Sequence, residues 1–497
     1  MQRQECVLYE GTSKQLLTIP NLLHLKSLDI MSRILLHLAV CALCSVSAVA
    51  QNTKDAATYA PTATGEQLTN VYLNSAILNG GQPVLPGGVA GDSRGMAVVN
   101  GKMYVCCREG AVSKLIELDG KTGALLRTIN LPEEMWKEGE KALGFICNDV
   151  QVDNAGHVFV SNMATDMRGG GAAHLFRVNY VDVTKTPVAY KTVLNDTLPG
   201  DLPQTMRIDT YDLYGDILNG DGIIMLPVSG NEAGAGNTVI KYTVTKGVAD
   251  VANRQTIVLT KFNPEKAVAA GAAPRINIVD NELFYHDGFN TMPMLYDMNG
   301  AAVDGFQNNK PLTPVSTGQN GVTEFELNGA YYLIVASTNT DDKEAPQAFD
   351  IFKFKDESRS FADMTFLYRF PQAGLGGVGN PVRTALPRVE IVDGVGGQKK
   401  ARINIYAYKN GYGIYEFANN VSTNIAKVEG DKLDYTVRGN VITVNADVKC
   451  ITLYNAIGQK VAETANAQAV KAPARGVYLL HVLGKNGDAK TIKVVVN

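Results

Sequence analysis

Arginine recurs at one place in a repeating sequence pattern. It opens extended, partly apolar runs at Arg94 (RGMAVV), Arg207 (RIDTYDL), Arg275 (RINIVD) and Arg388 (RVEIVD), while Asn148 and Thr323 stand at the corresponding place in two further copies. A guanidinium is permanently charged and planar, and its five donors suit bidentate capture of carboxylate, sulfate or phosphate. If the runs converge, Arg94, Arg207, Arg275 and Arg388, with Asn148, Asp149 and Thr323, frame a ligand site selective for anions. The competing reading pairs each arginine with an acid such as Asp92, Asp149 or Asp209, tying neighbouring segments together. Guanidinium groups sharing a space repel unless solvated or paired, so either reading is physically sound.

Other chemistry is harder to assemble. His157, His174, His286 and His481 form no H-E-x-x-H, and none has a second histidine at metal-ligand spacing, so neither a metal site nor a cofactor is assigned. No catalytic triad can be named. The acidic turns LDGKTG and LNGDGI do not continue into a calcium loop, and hairpin-turn chemistry accounts for them. A carbohydrate-active or lactonase-like enzyme would have to work through carboxylates such as Asp149 or Glu324.

The elements that would carry these residues follow from the repeat. Each copy reads as an extended run, a turn with Gly, Asn or Asp, and a strongly apolar run, as in RGMAVVNGKMYVCC from Arg94 and TEFELNGAYYLIVAS from Thr323. A third strand follows most copies and a fourth often follows, with starts spaced by roughly 50 to 70 residues, the signature of propeller blades. The expected architecture is all-β, a β-propeller of about six blades over residues 66–422. Residues 68–78, LTNVYLNSAIL, form an orphan strand that would complete the last blade, which offers only three strands of its own. Three glycine-rich polar runs, starting at Asn162, Ser229 and Ser337, would border the mouth where the inner strands begin.

Composition sets the surroundings. The chain has 497 residues, 19% of them charged, with a formal net charge of -3, which excludes a nucleic-acid binder driven by basic patches. Residues 31–50, after a stretch at 1–30 that lacks the pattern and reads as a non-native upstream extension, show Arg33, an apolar run and small residues at Ala48 and Ala50. That is a cleavable export signal, its apolar run shorter than the roughly 20 residues needed to cross a bilayer, so no transmembrane segment is expected in the mature chain. Of seven cysteines, Cys106, Cys107, Cys147 and Cys450 follow the signal. They read as packing residues, with a bridge from Cys147 to Cys106 or Cys107 open in an oxidising compartment.

The chain changes character near residue 427. From there to 497 it alternates polar and apolar residues in short strands, the pattern of a small immunoglobulin-like sandwich. ITLYNAIGQKV with Gly458, ARGVYLLHV with Gly476, Val477 and Tyr478, and KVVV from Lys493 resemble the type A C-terminal sorting domain of Bacteroidetes type IX secretion substrates. The blade pattern resembles secreted propeller proteins of that phylum. The resemblance implies a secreted or cell-surface protein whose tail engages the type IX secretion machinery. Taken together, these features predict an exported propeller that binds an extracellular glycan, peptide or protein, or acts as a scaffold, with the enzyme as the alternative.

Overall fold

A computed structural model describes residues 54–496 apart from 56, 166–174, 198–206, 231–235, 261–270, 272, 289–290, 307–317, 339–346, 380–384, 395–397, 420–432 and 456–458. The export signal, Gly458 and most of the three glycine-rich runs lie outside the described residues. The described chain is all-β, with short 3-10 turns as its only helical elements. No described helix is long and apolar enough to cross a membrane.

Six antiparallel sheets follow one another. The first contains Asp92–Val99, Lys102–Glu109, Val112–Asp119 and Leu125–Asn130, and the second Asp149–Val152, Val158–Ser161, Phe176–Asp182 and Ala189–Asp196. The third runs through Asp212–Gly215, Asp221–Pro227 and Thr238–Thr245, the last pairing with both Val248–Ala249 and Gln255–Val258. The fourth holds Arg275–Ile278, Leu283–Gly288, Thr291–Asp297 and Ala302–Gly305, and the fifth Gly318–Leu327, Ala330–Thr338, Ala348–Lys353 and Thr365–Phe370. Local chemistry fixes the hairpins. Asn100 and Gly101, at φ 52° and 72°, and Asn328 and Gly329, at 52° and 77°, make two-residue turns with both central residues left-handed, which match the twist of the strands they join.

The sixth sheet draws on both ends of the repeat region. Arg388–Asp393, Lys399–Ala407 and Gly411–Ala418 supply three strands, and Gln67–Ser75 pairs antiparallel along the third from Gln67↔Ala418 to Ser75↔Gly411. The first strand of every sheet touches that of the next, and the first strand of the sixth touches that of the first. Packing repeats the cycle, because six apolar clusters are each shared by two successive sheets. Met96, Met103 and Val105 of the first sheet meet Tyr406 and Ile414 of the sixth, for example, while Ala97, Tyr104 and Cys106 meet Val150, Val158 and Val160 of the second. Strand alternation thus serves two interfaces at once.

Beyond residue 432 a three-stranded sheet (Tyr435–Arg438, Val441–Val444, Ala469–Lys471) and a four-stranded one (Val448–Tyr454, Lys460–Ala465, Gly476–Gly484, Ala489–Val496) enclose one apolar cluster of their own.

Candidate functional site

The arginines meet two sets of partners, Arg94 and Arg207 at Asp209 and Arg275 and Arg388 at Asp149 and Gln151, and they arrive from different kinds of position. Arg275 and Arg388 open their sheets. Arg94 is the third residue of its strand, beside a bulge between Ser93 and Met96. Arg207 precedes the third sheet altogether, since that sheet begins at Asp212 and Arg207–Ile208 pairs instead with Ala164–Thr165. Asn148 stands just before its strand, and Thr323 lies inside Gly318–Leu327 rather than at its start.

Three of the four reach a partner beyond the neighbouring sheet. Arg94 Nη1 of the first sheet reaches Asp209 Oδ1, ahead of the third, at 2.7 Å. Arg207 Nε donates to Asp209 Oδ2 at 2.7 Å and Ser229 Oγ to the same oxygen at 2.6 Å. Arg275 Nη1 of the fourth sheet lies 3.5 Å from Asp149 Oδ2 of the second. Arg388 of the sixth donates to Gln151 Oε1 of the second and, at 3.2 Å, to the Met96 carbonyl. Bonds that skip a sheet must cross the interior of the cycle. Around them run shorter latches: Asn148 Nδ2 donates to the Asp209 carbonyl at 2.6 Å, and Thr210 Oγ1 to Pro274 O and Thr323 Oγ1 to Pro387 O, each at 2.8 Å.

Burial and charge compete at each carboxylate. Burial pushes Asp209 up, but Arg207 and Arg94 outweigh it and hold the carboxyl below the usual range. At Asp149 burial wins over Arg275 and Arg388 and the value is raised. Burial raises Asp212 to about 6 against the field of Arg388, and Asp287 to about 7 against the Gly321 N–H and Arg275. Asp212 and Asp287 thus join the network although sequence reading missed them. The cross-strand pairing of Asp287 with Arg275 was a signal that only register supplies. Next to Asp287, burial depresses His286 to about 4.

The pair Asp287 and His286 gives opposite pH dependences. Above its ordinary value near pH 4, the raised Asp287 binds a proton in the folded state that the unfolded chain has lost. Its contribution to stability therefore falls as pH rises from about 4 to 7, by up to about 1.4 kcal/mol per pH unit. His286 is neutral when folded where the unfolded chain is protonated, so its contribution falls as pH drops from about 6.5 to 4. Urea midpoints across this range should show Asp287→Asn losing the first slope and His286→Phe the second; parallel curves for wild type and either variant would refute that assignment.

Other candidates resolve differently. Asp149 and Glu324 are both spoken for: Asp149 accepts the Val150 N–H at 3.1 Å and the Gln151 amide at 3.1 Å, while Glu324 takes Tyr285 Oη at 2.6 Å and Arg359 Nε at 2.7 Å. Gly91–Gly95 (GDSRG) has the G-x-S-x-G spacing of a serine-hydrolase nucleophile, where sequence reading had found none. Ser93 lies on a strand, buried, with Oγ 2.5 Å from Tyr406 Oη, without the strand-to-helix turn a nucleophile elbow requires. Asp153, His157 and Asp216 gather at the opposite ends of the second and third sheets' hairpins, but Asp153 is already engaged by the N–H groups of Ala155, His157 and Ile217 and by His157 Nδ1.

Arg207 is more open than Arg94 or Arg275, its side chain 34% exposed against 11% and 3%. Its backbone is bonded on both sides, to Thr165 in the pair Ala164–Thr165 and to Ser229. The glycine-rich runs from Asn162 and Ser229 therefore leave from segments that flank Arg207. In the tail, Gly476, Val477 and Tyr478 pair with Val496, Val495 and Val494, and Lys493 with Leu479, on the two last strands.

No protein-family model matches the chain, and no curated protein matches it. Its structure is similar to that of a DUF4623 family protein from Bacteroides eggerthii, at a TM-score of 0.51 and 16% identity over 74% of this chain and 79% of that one. This likeness is one of fold alone. Weaker likenesses, from which nothing is carried over, extend to the extracellular domain of a putative hybrid two-component system from B. thetaiotaomicron (TM-score 0.33, 10% identity, 88% of this chain and 61% of that) and to an α-L-arabinofuranosidase from Lactobacillus brevis (0.34, 9%, 54% and 89%).

Proposed function

We propose that the six sheets are the blades of a β-propeller, exported through the signal at 31–50 and delivered outside by a sorting domain at 427–497. It acts as a binding or scaffold module for an anionic ligand or glycan. The observation that carries this reading is the division of labour among the arginines. Arg94, Arg275 and Arg388 are committed to cross-sheet bonds that hold the axis, whereas Arg207 keeps a third of its side chain exposed between the stems of two glycine-rich runs. A rigid hub with a partly exposed arginine beside the loops suits recognition by surface loops. The carboxylates an enzyme would use, Asp149 and Glu324, have their oxygens occupied by fixed donors, which favours binding over catalysis.

Protein recovered from outside producing cells, with Gln51 expected at its N-terminus, would be titrated against glycans and polyanions. Arg207→Ala should weaken an anionic ligand by about tenfold, since a hydrogen bond to a charged group contributes about 1.5 to 3 kcal/mol. Added salt should weaken it further. Binding unchanged in a folded Arg207→Ala protein would remove the ligand site, turnover of a panel member would favour the enzyme, and normal delivery without residues 427–497 would remove the proposed route.

A further inference from the structure

Cys106, Cys107 and Cys147 are buried and unbridged. Adjacent strand residues point to opposite faces, and the packing shows which way each thiol goes. Cys106 belongs, with Tyr104 and Leu115, to the apolar cluster between the first and second sheets, and Cys147 is in that same cluster. Cys107 lies on the other face, with Met103, Val105 and Tyr406 in the cluster shared with the sixth sheet. Cys147 sits in the connection between the sheets at φ 50°, a left-handed conformation that β-carbon residues rarely hold without support from their surroundings. Its thiol lies 3.4 Å from the Lys114 carbonyl, next to Leu115, which is the residue directly across the ladder from Cys106. After burial, Cys147 is the next group that pushes the Cys106 thiol up.

We propose that Cys106 and Cys147 form a disulfide when the chain matures in an oxidising compartment, tying the first sheet to the connection that leads into the second, while Cys107 and Cys450 remain thiols. The two thiols give up two protons and two electrons as the S–S bond forms, and a disulfide oxidant accepts them and is reduced to two thiols. Burial pushes the Cys106 thiol well up and disfavours the attacking thiolate, so the exchange belongs to folding, before the two sheets close. The inference is independent of what the protein binds.

The mature protein, refolded in mixed oxidised and reduced glutathione, would be denatured, alkylated without reduction and analysed by peptide mass spectrometry. The expected result is a peptide pair linking Cys106 to Cys147, with Cys107 and Cys450 alkylated, and loss of that pair on reduction. Cys107→Ser should keep the link and Cys106→Ser should abolish it. Protein isolated directly from producing cells gives the same reading without refolding. Alkylation of all four thiols, or a link through Cys107, would overturn the proposal.

Discussion

Asp209→Ala is expected to destabilise the protein by about 3–5 kcal/mol, the penalty typical of removing one partner from a buried charge pair. Asp209 is fully buried and is the point where three side chains end: Arg94 from the first sheet, Arg207 from its own segment, and Ser229. Alanine would leave Arg94, only 11% exposed, without the carboxylate that compensates it, and would strand the Ser229 hydroxyl. Asp209→Asn should fall between wild type and alanine, keeping an acceptor but not the charge. Arg207→Ala should cost less than Asp209→Ala, because Arg94 and the Ser229 hydroxyl still serve the Asp209 carboxylate. The sign with pH follows from the lowered folded value of Asp209: its stabilisation is present above the unfolded value near 4 and is lost as pH falls through the folded one. Urea unfolding of the three variants measures all of this. An alanine variant within about 1 kcal/mol of wild type would mean that the network is a passenger in the fold rather than its hub.

The strands were legible because polar and apolar residues alternate around left-handed turns that only Asn and Gly accept comfortably, as at Asn100–Gly101 and Asn328–Gly329. The pairing of Gln67–Ser75 with Gly411–Ala418 could be anticipated by counting, since one repeat lacked a strand and one strand lacked a repeat. The network was legible in part. Asp149 and Asp209 stood among the acids expected to pair with the arginines, and both do. What sequence could not give was which acid meets which arginine. A local pairing of Asp92 with Arg94 is the natural guess, yet Asp92 is bonded to Arg108 at 3.0 Å on the neighbouring strand, and Arg94 reaches across to Asp209. Partners that skip a sheet are set by the curvature of the whole cycle, and no spacing along the chain encodes it. The third sheet misled for a different reason. Its run from Arg207 to Leu213 is long enough to be one strand, but the chain breaks it, giving Arg207–Ile208 to Ala164–Thr165 and starting the sheet at Asp212. Arg207, placed ahead of the sheet by that break, is more exposed than Arg94 and Arg275.

A chain shortened to begin after Leu78 is expected to lose cooperative unfolding and to associate. Gln67–Ser75 hydrogen-bonds along the whole of Gly411–Ala418, so its removal uncovers a full row of backbone N–H and C=O groups on an apolar strand, a template for pairing with another chain. The same cut removes Leu68 and Leu73, 1% and 2% exposed, from the cluster that joins Tyr332, Ile334 and Phe349 of the fifth sheet to Tyr415 and Phe417 of the sixth. Each buried leucine contributes roughly 1.5–3 kcal/mol. The loss of Glu66 adds a lysine, Lys353, deprived of the carboxylate 2.6 Å away. These terms together approach the whole margin of about 5–15 kcal/mol that a folded domain holds. Size-exclusion chromatography and thermal unfolding of the shortened chain would read the effect, and a synthetic peptide of residues 66–78 added in trans should restore the monomer. A shortened chain that stays monomeric with an unchanged midpoint would show that the last sheet does not depend on the N-terminal strand, and the closed cycle would then lose its physical basis.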